Sequence, residues 1–284
     1  MATGNARSLL QYWRHPYLAD GTRQPLPMFE WLGWIGVMLV LSALGALIGY
    51  PAVHVLGHAV PADRFINEIT RHFSWSVGLM VLCAPILEEL IFRSFMTLET
   101  KVMSLSLGFV IAVLGLVVVK AVTGWHVASQ PDFQWAYFKV NAPVVAVALM
   151  LAVPAFFMRR TLQRWLAAVA PGMIVLMTLL FAAAHALNFE QGWKPLLLWL
   201  TLPQLGLALV LAYLRVRHGL RWSIATHIVF DWLLIGLVWL MHAKKVGLAG
   251  HVAQILVTLA LFGLLVYGVV FLFRRGVVRP LVIR

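Results

Sequence analysis

A single cysteine, Cys83, stands in a chain of 284 residues. It has no intrachain partner, so a disulfide scaffold is excluded. Charge is also scarce. Asp, Glu, Lys and Arg make up 11% of the residues, against about 25% in an ordinary soluble domain. Acidic residues are the rarest class: 10 Asp+Glu face 22 Lys+Arg, a formal net charge of +12. The rest is apolar, 62% by count, with a mean hydropathy of +0.90. Disorder is excluded by those figures. A soluble exterior is excluded as well, because so few polar residues cannot cover the apolar bulk. The basic residues lie in short loops between apolar stretches and form no contiguous basic domain. No nucleic-acid partner is therefore expected.

Apolar runs of roughly 20 residues, the length that crosses a bilayer, recur along the chain at about 28–50, 74–97, 103–122, 141–158, 171–188, 196–214, 220–241 and 250–273. The fold class expected is all-α: a polytopic membrane helix bundle of about eight transmembrane helices, one domain over 1–284, with 1–27 as a cytoplasmic tail. No small-residue cleavage site follows the first run, so a retained helix is expected there. When loops are assigned alternately to two sides, the side bearing the N-terminal tail carries about twice as many lysines and arginines as the other. Both termini are therefore expected in the cytoplasm. Trp31, Trp75, Trp193, Trp222 and Trp239 fall near span ends, as interfacial anchors. Arg159–Ala170 is basic and amphipathic. It reads as a short interfacial helix broken by Pro171-Gly172. No repeat or long linker is visible.

The ionisable residues inside spans are Glu30, Glu88, Glu89, Arg93, His185, His227 and Asp231. A charge at the helix centre costs about 2.5–3.5 kcal/mol on insertion scales, so each requires a reason. Glu30 lies near a span end and can reach the interface. Glu89 and Arg93 are four apart on one helical face and can pair. Glu88 is turned about 100° from Glu89. It is left as a carboxylate in a dry site, suited to general-base work. The bland alternative is a packing clamp between helices. His185 follows Phe181 by one turn, with three alanines between that allow close helix approach. His227 and Asp231 are four apart on one face, and an Asp so placed can fix the tautomer of a His. Either histidine could instead be an interhelical hydrogen-bonding residue. Measured from the cytoplasmic ends, Glu88, His227 and Asp231 lie ~14, ~11 and ~17 Å deep, and His185 ~21 Å if its span starts at Pro171.

Two histidines with two or three carboxylates could also hold a divalent metal such as zinc. The spacing does not indicate one, since no His-Glu-x2-His helix is present. The expectation is no cofactor, with a divalent metal as the alternative. His54, His58 and His72, with Asp63 and Glu68, read as a solvated outer loop. Cys83 reads as a small packing residue.

Three motifs now stand in order: Glu-Glu-x3-Arg at Glu88–Arg93, Phe-x3-His at Phe181–His185 and His-x3-Asp at His227–Asp231. Together, and with Ala84-Pro85-Ile86-Leu87 before the first, they resemble the CPBP family of CAAX proteases and bacteriocin-processing proteins, which includes the type II CAAX prenyl endopeptidases. The resemblance implies an intramembrane endopeptidase acting on a membrane-associated protein or peptide, with the lipid bilayer as its other partner. It implies Glu88 as the base that activates water and His185 as an aid in holding that water. His227 and the residue four on would stabilise the oxyanion, with Glu89 and Arg93 as a supporting ion pair. Asp231 stands where Asn is frequent, and an ionised Asp cannot donate to an oxyanion. Ser94 stands where Gly is common. The motif-bearing core is about 74–97 and 171–241. Between its parts, 103–158 reads as an inserted helix pair with an aromatic outer loop around Trp125, Trp135 and Tyr137.

Processing of C-terminal sorting tails is a narrower expectation from the resemblance. A proton-coupled transporter is the rival class, because carboxylates and histidines in spans also serve proton relays. No inverted repeat supports it. A non-catalytic immunity or scaffold member would carry the same motifs. The short loops and charge bias suggest a bacterial inner membrane.

Overall fold

The computed structural model describes residues 9–14, 24–61, 75–94, 96, 108, 146–147, 150–151, 153–189, 195–242 and 248–274. Its elements are helical: α1 (Leu9–Arg14), α2 (Met28–Val55), α3 (Trp75–Phe92), α4 (Arg159–Ala184), a 3-10 turn (His185–Asn188), a 3-10 helix (Pro195–Thr201), α5 (Leu202–His218), α6 (Leu220–His242) and α7 (Leu248–Arg274). The all-helical expectation is met. Three helices among the described residues are long and apolar enough to cross a membrane: Met28–Val55, Leu197–His218 and Gly250–Phe273. Ala168–Ala184 is a shorter apolar helix. The expected pair at 103–122 and 141–158 falls largely outside the described residues. Also outside them are Trp125, Trp135, Tyr137, Trp193, Asp63, Glu68, His72 and the side chains of Trp75 and Trp239.

Burial fixes the order of packing. The apolar window within Leu197–His218, which spans the 3-10 helix and α5, is 61% buried, and that of α7 only 17%. A helix apolar all round belongs in the centre of a bundle. α5 obeys that rule, burying the consecutive run from Val210 to Leu214. α2, α4 and α6 pack around it, and α3 packs on α6 and α4. α7 lies against the far side of α2 and exposes Ile255, Leu256, Leu259 and Phe262, an apolar face suited to lipid. The contacts of α2 depend on missing side chains. A Cβ on Gly36 would collide with the Leu264 carbonyl and come within 2.7 Å of the Gly268 backbone in α7. A Cβ on Gly206 of α5 would come within 2.7 Å of the Leu41 backbone. With little hydrophobic drive between helices in lipid, such close backbone approach supplies the packing.

Gly219 turns α5 into α6. Its φ of 99° is in the left-handed region that favours glycine. Its N–H meets the Leu214 and Arg215 carbonyls at 3.2 and 3.1 Å, which closes the end of α5. The turn sets α5 and α6 side by side, with the Ser223 hydroxyl 3.0 Å from the Leu211 carbonyl.

One sequence expectation changes. α4 runs without a break from Arg159 to Ala184, with Pro171 inside it. Pro51 and Pro85 likewise lie inside α2 and α3. Membrane-type helices tolerate an internal proline because neighbouring groups re-satisfy the freed carbonyl. The described residues of the N-terminal segment pack on α5. Tyr12 is buried beside Tyr213, the Trp13 indole donates to the Leu209 carbonyl at 3.2 Å, and the Gln24 N–H donates to the Arg217 carbonyl at 3.1 Å. Trp31 and Trp222 pack on each other with centroids 5.9 Å apart, and the Trp31 indole donates to Thr226 Oγ1 at 2.7 Å. These two rings join α2 to α6 as well as lying near helix ends.

Candidate active site

The six singled-out polar residues come from three helices. α3 contributes Glu88 and Glu89 in its last turns, with Arg93 directly after it. α6 contributes His227 and Asp231. The end of α4 contributes Phe181 and leads into His185. In an α-helix, residues four apart share a face. That spacing pairs Glu89 with Arg93 and His227 with Asp231, and α3 packing on α6 then brings the two pairs together.

Glu89 is the hub. It is 0% exposed and Arg93 is 1% exposed. Arg93 Nη1 donates to Glu89 Oε1. His227 Nδ1 lies 3.1 Å from the same oxygen. The Ser223 hydroxyl contacts the other oxygen, Oε2. A carboxylate accepts from all three, so this buried charge is paired and hydrogen-bonded, as burial requires. The Arg93 guanidinium also lies 4.2 Å from the Phe181 ring centroid, a cation–π contact. Its Nε and Nη2 have no hydrogen-bond partner among the described residues. The ring face of Phe181 is their neighbour instead.

The hub settles the chemistry of the His227 ring. Because Glu89 accepts at Nδ1, that nitrogen carries a proton, and Nε2 points the other way. Nε2 lies 3.7 Å from Glu88 Oε2 and 3.8 Å from Asp231 Oδ2. Both distances exceed a direct hydrogen bond. The side chains of Glu88 and Asp231 are 30% and 27% exposed. The two carboxylates on one helix therefore differ: Glu89 is sealed in structure, while Glu88 opens outward beside His227 Nε2.

His185 joins through Phe181. Its Nδ1 is 2.9 Å from the Phe181 carbonyl. A carbonyl only accepts, so Nδ1 donates there. The Phe181 centroid is 4.9 Å from that of His185 and 5.7 Å from that of His227. One aromatic ring thus touches Arg93 and both histidines. The described residues give His185 no polar contact with Glu88, His227 or Asp231.

Two residues of the site escape a reading of the sequence. Ser223 is four before His227, so Ser223, His227 and Asp231 form one stripe of α6, a spacing that could have exposed it. Arg215 counts as a loop charge by hydropathy. It is instead buried, and donates from Nε and Nη2 to the Arg93 and Ser94 carbonyls at 3.0 and 3.1 Å. It serves the orphan carbonyls past the end of α3. Nothing in hydropathy distinguishes that role from a topological one.

Among the described residues, no group of three or more His, Cys, Asp or Glu is placed to hold a metal ion. Among the described residues, Glu89 and His227 meet Arg93, Ser223, Glu88 and Asp231.

A buried ion pair that orients an imidazole, with a more open carboxylate near its second nitrogen, is an arrangement suited to proton transfer inside an apolar bundle. The model of the type II CAAX prenyl endopeptidase Rce1-like family matches residues 70–233. That range is more than half of the chain and takes in every site residue named above. The chain belongs to this family of CAAX-type intramembrane proteases. Comparisons with curated proteins and with solved structures gave no match.

Proposed function

We propose that this protein is an intramembrane endopeptidase in which Glu88 activates water for attack on a peptide carbonyl of a membrane-associated substrate. The observation that carries this reading is the placement of Glu88, 30% exposed and 3.7 Å from the outward nitrogen of a histidine whose other nitrogen faces buried Glu89. Glu88 takes a proton from water as the oxygen attacks the carbonyl carbon. The tetrahedral intermediate collapses, the C–N bond breaks, and Glu88 returns the proton to the leaving amine. His227 faces the developing oxyanion through Nε2. As an imidazolium it donates there, and Asp231 balances its charge. This gives Asp231 a role that needs no proton on its carboxyl. His185 helps to hold the attacking water through its second ring nitrogen.

The family membership supports peptide hydrolysis, and the proposed route is metal-free because the sequence has no zinc-type spacing. One oxygen of Glu89 faces Arg93 and His227, the other faces Ser223, and Nδ1 of His227 is turned to Glu89. These groups have little left for a cation. The remaining expectations form part of the same proposal. The bundle has about eight transmembrane helices, with an inserted pair in 103–158 and both termini cytoplasmic. It sits in a bacterial inner membrane and trims C-terminal sorting tails. Comparing membrane proteomes of cells carrying wild-type protein or Glu88→Gln tests the substrate. Precursors with uncut tails should accumulate in the variant. Identical proteomes would overturn it.

A further inference from the structure

Ser223 lies outside the three motifs, yet it touches the hub of the site. Its hydroxyl meets Glu89 Oε2 and sits 3.0 Å from the Leu211 carbonyl of α5. It is fully buried. A hydroxyl has one proton, and an ionised carboxylate is the stronger acceptor. The proton therefore goes to Glu89. The other oxygen of Glu89 is shared by Arg93 Nη1 and His227 Nδ1. Arg93 directly follows the helix of Glu89 and cannot fix that carboxylate relative to α6. Ser223 can, because it is on α6 one turn before His227 and is braced by the adjacent α5.

We propose that Ser223 is a positioning residue for His227, acting through Glu89. It fixes the rotation of the Glu89 carboxylate about χ3, which aims Oε1 at His227 Nδ1. That in turn holds Nε2 beside Glu88 and Asp231. Without the hydroxyl, Oε2 is left in a dry site with no donor, and the carboxylate turns toward whatever donor remains. Terminal carboxylate torsions are broad wells, so little opposes the turn. The His227 ring then loses its alignment while remaining in the site. The inference rests on the proposed hydrolysis only for its kinetic consequence.

Two measurements test it. The first uses purified protein with 15N-labelled histidine, assigning His227 by the signal lost in His227→Gln. Ser223→Ala should shift the His227 ring nitrogens, and Ser223→Thr, which keeps a hydroxyl, should restore them toward wild type. An unmoved His227 signal in Ser223→Ala overturns the proposal whether or not the protein cleaves anything. The second follows cleavage of a C-terminal sorting-tail peptide in vesicles. Ser223→Ala should lower kcat by about 10- to 100-fold, the scale of a small misplacement, with KM close to wild type and Ser223→Thr recovering most of it. Equal kcat in Ser223→Ala and wild type, with Glu88→Gln inactive, overturns the positioning role and leaves the protease reading intact. Full cleavage by Glu88→Gln overturns the protease reading, and the nitrogen signals then decide the placement of His227 alone.

Discussion

Arg93→Ala is the perturbation whose cost is best defined by the structure. The guanidinium is 1% exposed and its partner Glu89 is 0% exposed. Breaking a buried pair by removing one member typically costs about 3–5 kcal/mol, because the other charge stays behind in a dry site. Losing the stack on Phe181 adds up to about 2 kcal/mol, the value for a desolvated cation–π contact. Two features limit the loss: His227 Nδ1 and Ser223 still face Glu89, and the hydrogen bonds from Arg215 go to the main chain, which an alanine keeps. The net expectation is about 3–5 kcal/mol, a large share of the total stability of a typical domain. Glu89→Gln with Arg93→Gln should recover part of it, since no lone charge remains and the amide oxygen introduced at position 89 can still accept from His227. The assay is denaturant unfolding of detergent-purified protein, followed by tryptophan fluorescence. Arg93→Ala with a wild-type midpoint would refute the reasoning. So would a double variant no more stable than the single one.

Other outcomes follow from the same physical account. Gly36→Ala should destabilise by about 1–3 kcal/mol through overpacking against α7, while Gly263→Ala, with nothing within 4 Å of its Cβ, should be neutral or slightly stabilising; unfolding midpoints check both. Cleavage should survive thorough chelation, and activity lost on removal of stoichiometric Zn²⁺ and restored on its return would reverse the metal-free proposal. In a Cys83→Ser background, a cysteine in place of Lys244 should react with impermeant reagent from the outer face, and labelling only from the cytoplasmic face would overturn the proposed topology.

The helical class is legible because hydropathy and length suffice for it. The two i,i+4 pairs are legible for the same kind of reason: helix geometry alone puts Glu89 on Arg93 and His227 beside Asp231. Which carboxylate is sealed and which is open is less accessible. It depends on α6 meeting α3, so that His227 turns Nδ1 to Glu89 and Nε2 toward Glu88. Arg215 is misleading because a charge near a span end looks the same whether it faces lipid headgroups or buried carbonyls. The expected break at Pro171 fails because stopping the helix in an apolar surround would free several backbone groups at once, whereas an internal proline frees only one carbonyl. Depth along the sequence places His185 by counting from that break. The structure brings it to the cluster by a different route, through the ring and carbonyl of Phe181.

The central claim is that Glu88 is the base. The most direct measurement compares wild-type protein and Glu88→Gln in vesicles containing a C-terminal sorting-tail peptide, with unfolding midpoints recorded on the same preparations. Glutamine keeps the size and hydrogen-bonding reach of the side chain and removes its ability to take a proton. Loss of a general base typically costs about 100- to 10,000-fold. The variant should therefore be nearly inactive while unfolding at the wild-type midpoint. A folded Glu88→Gln protein that cleaves at the wild-type rate would contradict the assignment.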